Sequence, residues 1–130
     1  MPITIAKAKS PKGHEYARMI SSGEVTAVDA ENVYAKYSPT GAFYDMGILA
    51  LVDPGAKFSP EARQVFTKAG GGPAANPKPV AIVVTSAPLR VLLSFIIRMS
   101  GAAGNTRFFA NEGEALAFID EKLGAQSQAA

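Results

Sequence analysis

The chain has no cysteine, no tryptophan and a single histidine, His14, among its 130 residues. The missing cysteine excludes disulfides, thiolate nucleophiles and sulfur-ligated metals together. A lone histidine cannot assemble a zinc site without further ligands, and no serine or aspartate is visibly tied to it as a catalytic triad requires. His14 therefore reads as a surface residue of an edge strand, and neither a metal nor a cofactor is expected. An excess of either charge is also lacking: 13 Lys and Arg stand against 11 Asp and Glu, for a net charge of +2. The pI near 9.0 reflects that slight surplus and not a basic stripe, so nucleic acid is not expected as a partner. The opening "MPITIAKAKSPKGHEY" lacks the charged-then-apolar order and cleavage site of a signal peptide, which makes a cytoplasmic location the expectation.

An unbroken apolar run of membrane-spanning length is missing as well. The most apolar stretch, "AIVVTSAPLRVLLSFIIRMSG" from Ala81 to Gly101, contains Pro88 and Arg90. A span needs roughly 20 apolar residues with few or no charges, so stable membrane insertion is not expected. Cut at "TSAP", the stretch becomes a strand, a turn and a helix. Val80–Val84 ("VAIVV") is short, β-branched and continuously apolar, as a strand buried on both faces of a parallel sheet would be. Ser86 is suited to cap the helix that follows, Pro88 is tolerated in its first turn, and Gly101 is suited to end it.

What remains is the composition of one globular domain: 48% of the residues are hydrophobic. We assign residues 1–123 to a single α/β domain and residues 124–130, "GAQSQAA", to a frayed tail. "ITIAKAK" and "HEYARMIS" flank "SPKG", where Pro11 and Gly13 suggest a hairpin. Thr26 and Asp29 form a capping-box variant opening a helix over Ala27–Tyr37, with Ala30, Val33, Tyr34 and Tyr37 on its buried face. A second apolar strand, Ile48–Val52, is closed by Asp53, Pro54 and Gly55. Ser59, Pro60 and Glu61 then start a helix to Ala69, with Ala62, Val65, Phe66 and Ala69 inward. "GGGPAANPKP" reads as a linker, because a phosphate-binding loop needs Gly-Lys-Ser/Thr opening a helix and here the glycines follow one. "TRFF" is a last strand, Thr106–Phe109, and Asn111 with Glu114 caps a helix over Glu112–Leu123. Strand and helix thus alternate three times from Ile48 onward. Right-handed crossovers turn that order into a parallel sheet covered by helices, with the hairpin adding antiparallel strands at an edge.

Hairpin, helix and three strand–helix units resemble the STAS domain, the module of sulfate transporters and anti-sigma-factor antagonists. "LVDPGAKFSPEARQVF" and "PVAIVVTSAPLRVLLSFIIRMSGAAGNTRFFANEGEALAFIDEKL" look more closely like the small, mostly uncharacterised SpoIIAA-like bacterial proteins. The likeness covers roughly Thr26 to Leu123, with Phe118 where many members carry Trp. It implies protein–protein signalling and not chemistry. In the antagonists a serine at the helix start after the Asp-ended strand is phosphorylated to break a complex, and Ser59 matches that position. The antagonists place an acidic residue before two serines, whereas this chain reads "KFSPE", at a shorter spacing from the strand Asp.

Three sets of residues carry functional expectations. Ser59 is a helix cap and a candidate phosphoacceptor beside Glu61. Thr85, Ser86 and Arg90 lie where a parallel strand ends and a helix begins, a place that suits a small anion, although every such junction looks similar. Asp29, Glu31, Asp45 and Asp53 form no spaced pair across one cleft, so no catalytic residue is assigned. The third set lies on the helix over Ala87–Ser100. At about 100° per residue, Leu89, Leu92, Leu93, Ile96, Ile97 and Met99 fan toward the sheet. Arg90, Ser94 and Arg98 draw a thin polar line, and Val91 and Phe95 lie beyond it. That is more apolar surface than one sheet face covers. Either Val91 and Phe95 tuck against a neighbouring helix, or they form an interface rimmed by Arg90 and Arg98, for a protein partner or a second copy of the chain. The leading expectation is a non-catalytic, STAS-like regulatory or protein-interaction module; the alternative is a carrier or sensor of a small apolar or nucleotide ligand near the carboxyl ends of the parallel strands.

Overall fold

In a computed structural model, the described residues are 3–37, 41–43, 46–67, 78–100 and 106–129. The N-terminal alternation forms a hairpin, β1 (Ile3–Lys9) and β2 (Glu15–Ser21). Its turn places Gly13 at φ 84°, a left-handed conformation that costs glycine little and other residues more. A two-residue strand, β3 (Glu24–Val25), leads into α1 (Ala27–Tyr37). Then come β4 (Gly47–Val52), the short β5 (Lys57–Phe58), α2 (Pro60–Thr67), β6 (Val80–Val84), α3 (Ala87–Ser100), β7 (Thr106–Phe109) and α4 (Glu112–Ala129).

The main sheet has the order β1-β2-β4-β6-β7. Only β1 and β2 are antiparallel; β2 joins β4 in parallel, and β4, β6 and β7 continue so. The mixed sheet is thus the expected one. The two short strands β3 and β5 pair separately, Glu24 with Lys57 and Val25 with Phe58. No periodicity in two residues announces that ribbon, yet it anchors the entry to α1 beside the entry to α2.

Alternation along β4 assigns the layers. Ile48, Ala50 and Val52 pack with Ala30 and Val33 of α1, Ala62 of α2 and Leu89, Leu93 and Ile96 of α3. Leu49 faces the other way, toward Ala115, Phe118 and Ile119 of α4. Three helices therefore cover one face and α4 the other, the arrangement that near-continuous apolar strands require. Gly41 follows α1 so closely that an added Cβ would strike the Lys36 carbonyl, which is why a residue without a side chain stands there.

Several local expectations are met and others change. Thr26 and Asp29 cap α1 reciprocally: the Thr26 amide reaches Asp29 Oδ2 at 2.9 Å, and the Asp29 amide reaches Thr26 Oγ1 at 3.4 Å. Ala30 and Val33 are buried as expected, and the side chains of Tyr34 and Tyr37 lie outside the described ones. The last two positions expected for the second helix, Asp45, and most of the glycine-rich linker also lie outside the described residues. The C-terminal segment differs from the frayed tail expected: α4 continues past Leu123 to Ala129. Gly124 is its one strongly unfavourable residue there, and the Ala and Gln around it are good helix formers.

Candidate functional site

The outer surface of α3 is the most unusual feature of the fold. Leu89, Leu93 and Ile96 are buried, and Leu92 and Ile97 are half-buried. Val91 is 71% exposed, Phe95 54% and Met99 59%. Val91 and Phe95 do not tuck against a neighbouring helix; they stand in solvent. Met99, expected to face the sheet, joins them, because a residue four positions after Phe95 returns to nearly the same side of the helix. The line of Arg90, Ser94 and Arg98 is also rotated from the expected position opposite the sheet. Arg90 leans over the edge of the sheet, its guanidinium 5.8 Å from the centre of the Phe108 ring on β7. Ser94 is half-buried, and Arg98 stays exposed beside the apolar stripe.

Along its other flank α3 borders an open groove of about 560 Å³. Leu89 and Leu92 form one wall, and Lys57, Phe58, Ser59 and Arg63 form the other. Ser59 is there because it begins α2: its Oγ accepts the Ala62 amide at 3.0 Å, and its own amide donates to the Val25 carbonyl at 3.0 Å. The cap expected from the sequence is present, worth about 1 kcal/mol in such positions. Arg63 donates from Nε to the Phe58 carbonyl at 2.9 Å, which holds its guanidinium at the groove wall. The candidate phosphoacceptor and the candidate interface helix thus share one recess.

The anion candidates are less concentrated. Ser86 caps α3, with the Leu89 amide 3.4 Å from its Oγ. Thr85 is exposed at the strand end, while Arg90 is drawn to the Phe108 ring.

A second cluster was not foreseen. His14 lies just before β2, and its Nδ1 is 2.8 Å from Oδ1 of Asp120 on α4. Ser10 donates its hydroxyl to the same oxygen, and the Lys12 amide donates to Oδ2 at 3.3 Å. The His14 amide donates back to Ser10 Oγ at 3.0 Å. Asp120 is 5% exposed and Ser10 6%. Burial raises the carboxyl pKa, but the hydrogen bonds from Ser10, His14 and the Lys12 backbone, with the charge of His14, outweigh it and hold the pKa below its ordinary value. His14 is therefore not a plain surface residue, and a serine and an aspartate are tied to it after all. They do not form a triad. In a triad the imidazole stands between serine and carboxylate; here the carboxylate stands between serine and imidazole, so the hydroxyl faces a weakly basic carboxylate and not an imidazole. The cluster fastens the hairpin turn to the C-terminal helix. Arg18 and Glu112 make a second fastening further along, at 3.1 and 3.3 Å.

His14, Tyr16 and Arg18 alternate along one face at the start of β2, and Glu112 and Asp120 are eight apart on α4. Those spacings were visible. The pairing of the first hairpin with the last helix was not, since the partners are 94 to 110 positions apart. Among the described residues no group of three or more His, Asp or Glu is placed to hold a metal ion, and no helix is long and apolar enough to cross a membrane.

The geometry defines a mixed-sheet α/β fold with an open helix face. No family model and no curated protein matches the chain. Among solved structures it is similar to an uncharacterised protein of the DUF3478 family with a SpoIIAA-like fold, from Shewanella loihica PV-4. The two superpose with a TM-score of 0.60 at 20% identity, over 90% of this chain and 93% of that one. The chain therefore has the SpoIIAA-like fold that its motifs resemble.

Proposed function

We propose that the protein is a non-catalytic interaction module of a bacterial cytoplasm, which docks a protein partner on the outer face of α3 and the adjoining groove. The observation that carries this reading is the row Val91, Phe95 and Met99, each more than half exposed on a helix already anchored by Leu89, Leu93 and Ile96. Monomeric domains display scattered apolar side chains, but a row at helical spacing beside a groove is the form of a helix-docking surface. Ser59 in the groove wall gives the surface a means of control. A phosphate there would add charge near −2 against Lys57 and Arg63 and would remake what the groove accepts.

Capture from the native cell tests the reading. Immobilised wild type should retain a partner that Phe95→Asp loses, with circular dichroism showing both folded. Equal retention by the folded Phe95→Asp protein would move the interaction elsewhere or remove it.

A further inference from the structure

The α3 face and its groove have a charge pattern that narrows what can cover them. α3 carries two arginines and no acidic residue. Arg98 borders the exposed stripe, and Lys57 and Arg63 line the groove, against Glu24 as the one acid among its lining residues. Lys57 and Arg63 at the groove and Arg98 beside the stripe thus put three cations along the joined surface, with Glu24 as the one carboxylate among the groove's lining residues. Val91, Phe95 and Met99 advance in four-residue steps, so the stripe runs for about 12 Å, a little over two helical turns. Leu92 sits in the groove, three positions before Phe95, which joins recess and stripe into one surface.

We propose that this surface receives an amphipathic helix of a partner protein, with acidic residues flanking its apolar ridge. The inference rests on the interaction reading above and gives its partner a chemistry. A ridge with anchors at i, i+3 or i+4 and i+7 matches the length of the stripe, and flanking carboxylates would meet Lys57, Arg63 and Arg98. A second copy of the chain fits less well. In a two-fold pairing each patch meets itself, which would bring this cationic rim against its own kind. A bilayer fits less well too, because Leu89 and Leu92 line a recess that a convex ridge can enter and a flat surface cannot.

The test uses synthetic helical peptides of about five turns. All share one leucine ridge and carry glutamate, lysine or glutamine at the flanking positions. Titrated against the full chain by fluorescence anisotropy, the glutamate peptide should bind about tenfold or more tighter than the lysine peptide at low salt. The advantage should shrink as salt rises toward about 1 M, where screening acts over about 3 Å. Phe95→Asp and Arg98→Glu should each weaken the glutamate peptide about fivefold or more without loss of helical circular dichroism. Equal affinity for the glutamate and lysine peptides would overturn the inference. So would tighter binding to phosphatidylglycerol vesicles than to any peptide, or a wild-type dimer that Phe95→Asp dissociates in sedimentation. If no peptide binds while capture from the cell still depends on Phe95, the acidic-helix inference falls and the interaction reading stands. If capture is also independent of Phe95, both fall.

Discussion

α3 and α4 lie on opposite faces of one sheet and treat polarity in opposite ways. α4 turns Ala115, Phe118 and Ile119 inward, exposes Glu114, Glu121 and Lys122, and buries one charge, Asp120. That burial is offset on the spot by hydrogen bonds from Ser10, His14 and the Lys12 backbone. α3 buries Leu89, Leu93 and Ile96 and then exposes Val91, Phe95 and Met99 as well. Among the described residues nothing covers them. A buried carboxylate is expensive, yet the chain supplies its partners; an exposed phenylalanine is cheap to tolerate, yet the chain supplies it with none. The first pattern is finished within the fold, and the second is left open at its surface, where the proposed function puts a partner.

Substitutions on the two helices should separate these cases in urea unfolding. Ile119 is fully buried on the inner face of α4, and Ile119→Ala should cost about 2–5 kcal/mol through lost burial and the cavity left behind. Asp120→Ala should cost about 2–3 kcal/mol, since it removes charged hydrogen bonds and leaves Ser10 buried without its acceptor. A cost below that of an ordinary surface change would mean the hairpin is not held by this cluster.

Acid should expose the same contribution. A carboxyl whose folded pKa is depressed stabilises fully above its unfolded value, 3.8 for Asp, and loses that contribution as pH falls through the lower folded value. Wild type should therefore lose more stability than Asp120→Asn as pH drops below about 4. Parallel acid titrations of the two proteins would contradict the assignment.

Smaller effects are expected where α2 and α3 face the groove. Ser59→Ala should cost about 0.5–2 kcal/mol, and Ser59→Asp should be tolerated because Asp also caps. Phe95→Asp should change stability by no more than about 0.5 kcal/mol, as for other surface changes. A loss for Phe95→Asp comparable to that of Ile119→Ala would erase the contrast between the helices.

The sheet and helices could be read from the sequence because their signals are local. Val80–Val84 is a β-branched run, Thr26 and Ser59 are caps, and Pro11 with Gly13 marks a turn. The surplus of apolar residues on α3 was equally local, so the exposure of Val91 and Phe95 was one of two readings the sequence offered, while the exact side was not legible: Met99 went outward and Arg90 toward Phe108. Those details depend on how far the helix rotates against the sheet, which the wheel alone does not determine. The Asp120 cluster was hidden for another reason. His14 and Asp120 meet only because β2 and α4 pack on the same region of the fold, and no short motif carries that proximity. The β3–β5 ribbon escaped for a third reason, being two residues long on each side.

The central claim is that the outer face of α3, and not that of α4, meets a partner. Benzoylphenylalanine placed at Phe95 in one protein and at exposed Glu121 in another, then irradiated in the native cell, addresses it most directly. We expect a discrete crosslinked protein from position 95 and none from position 121. Equal crosslinking at both positions, or crosslinking from position 121 alone, would contradict the account.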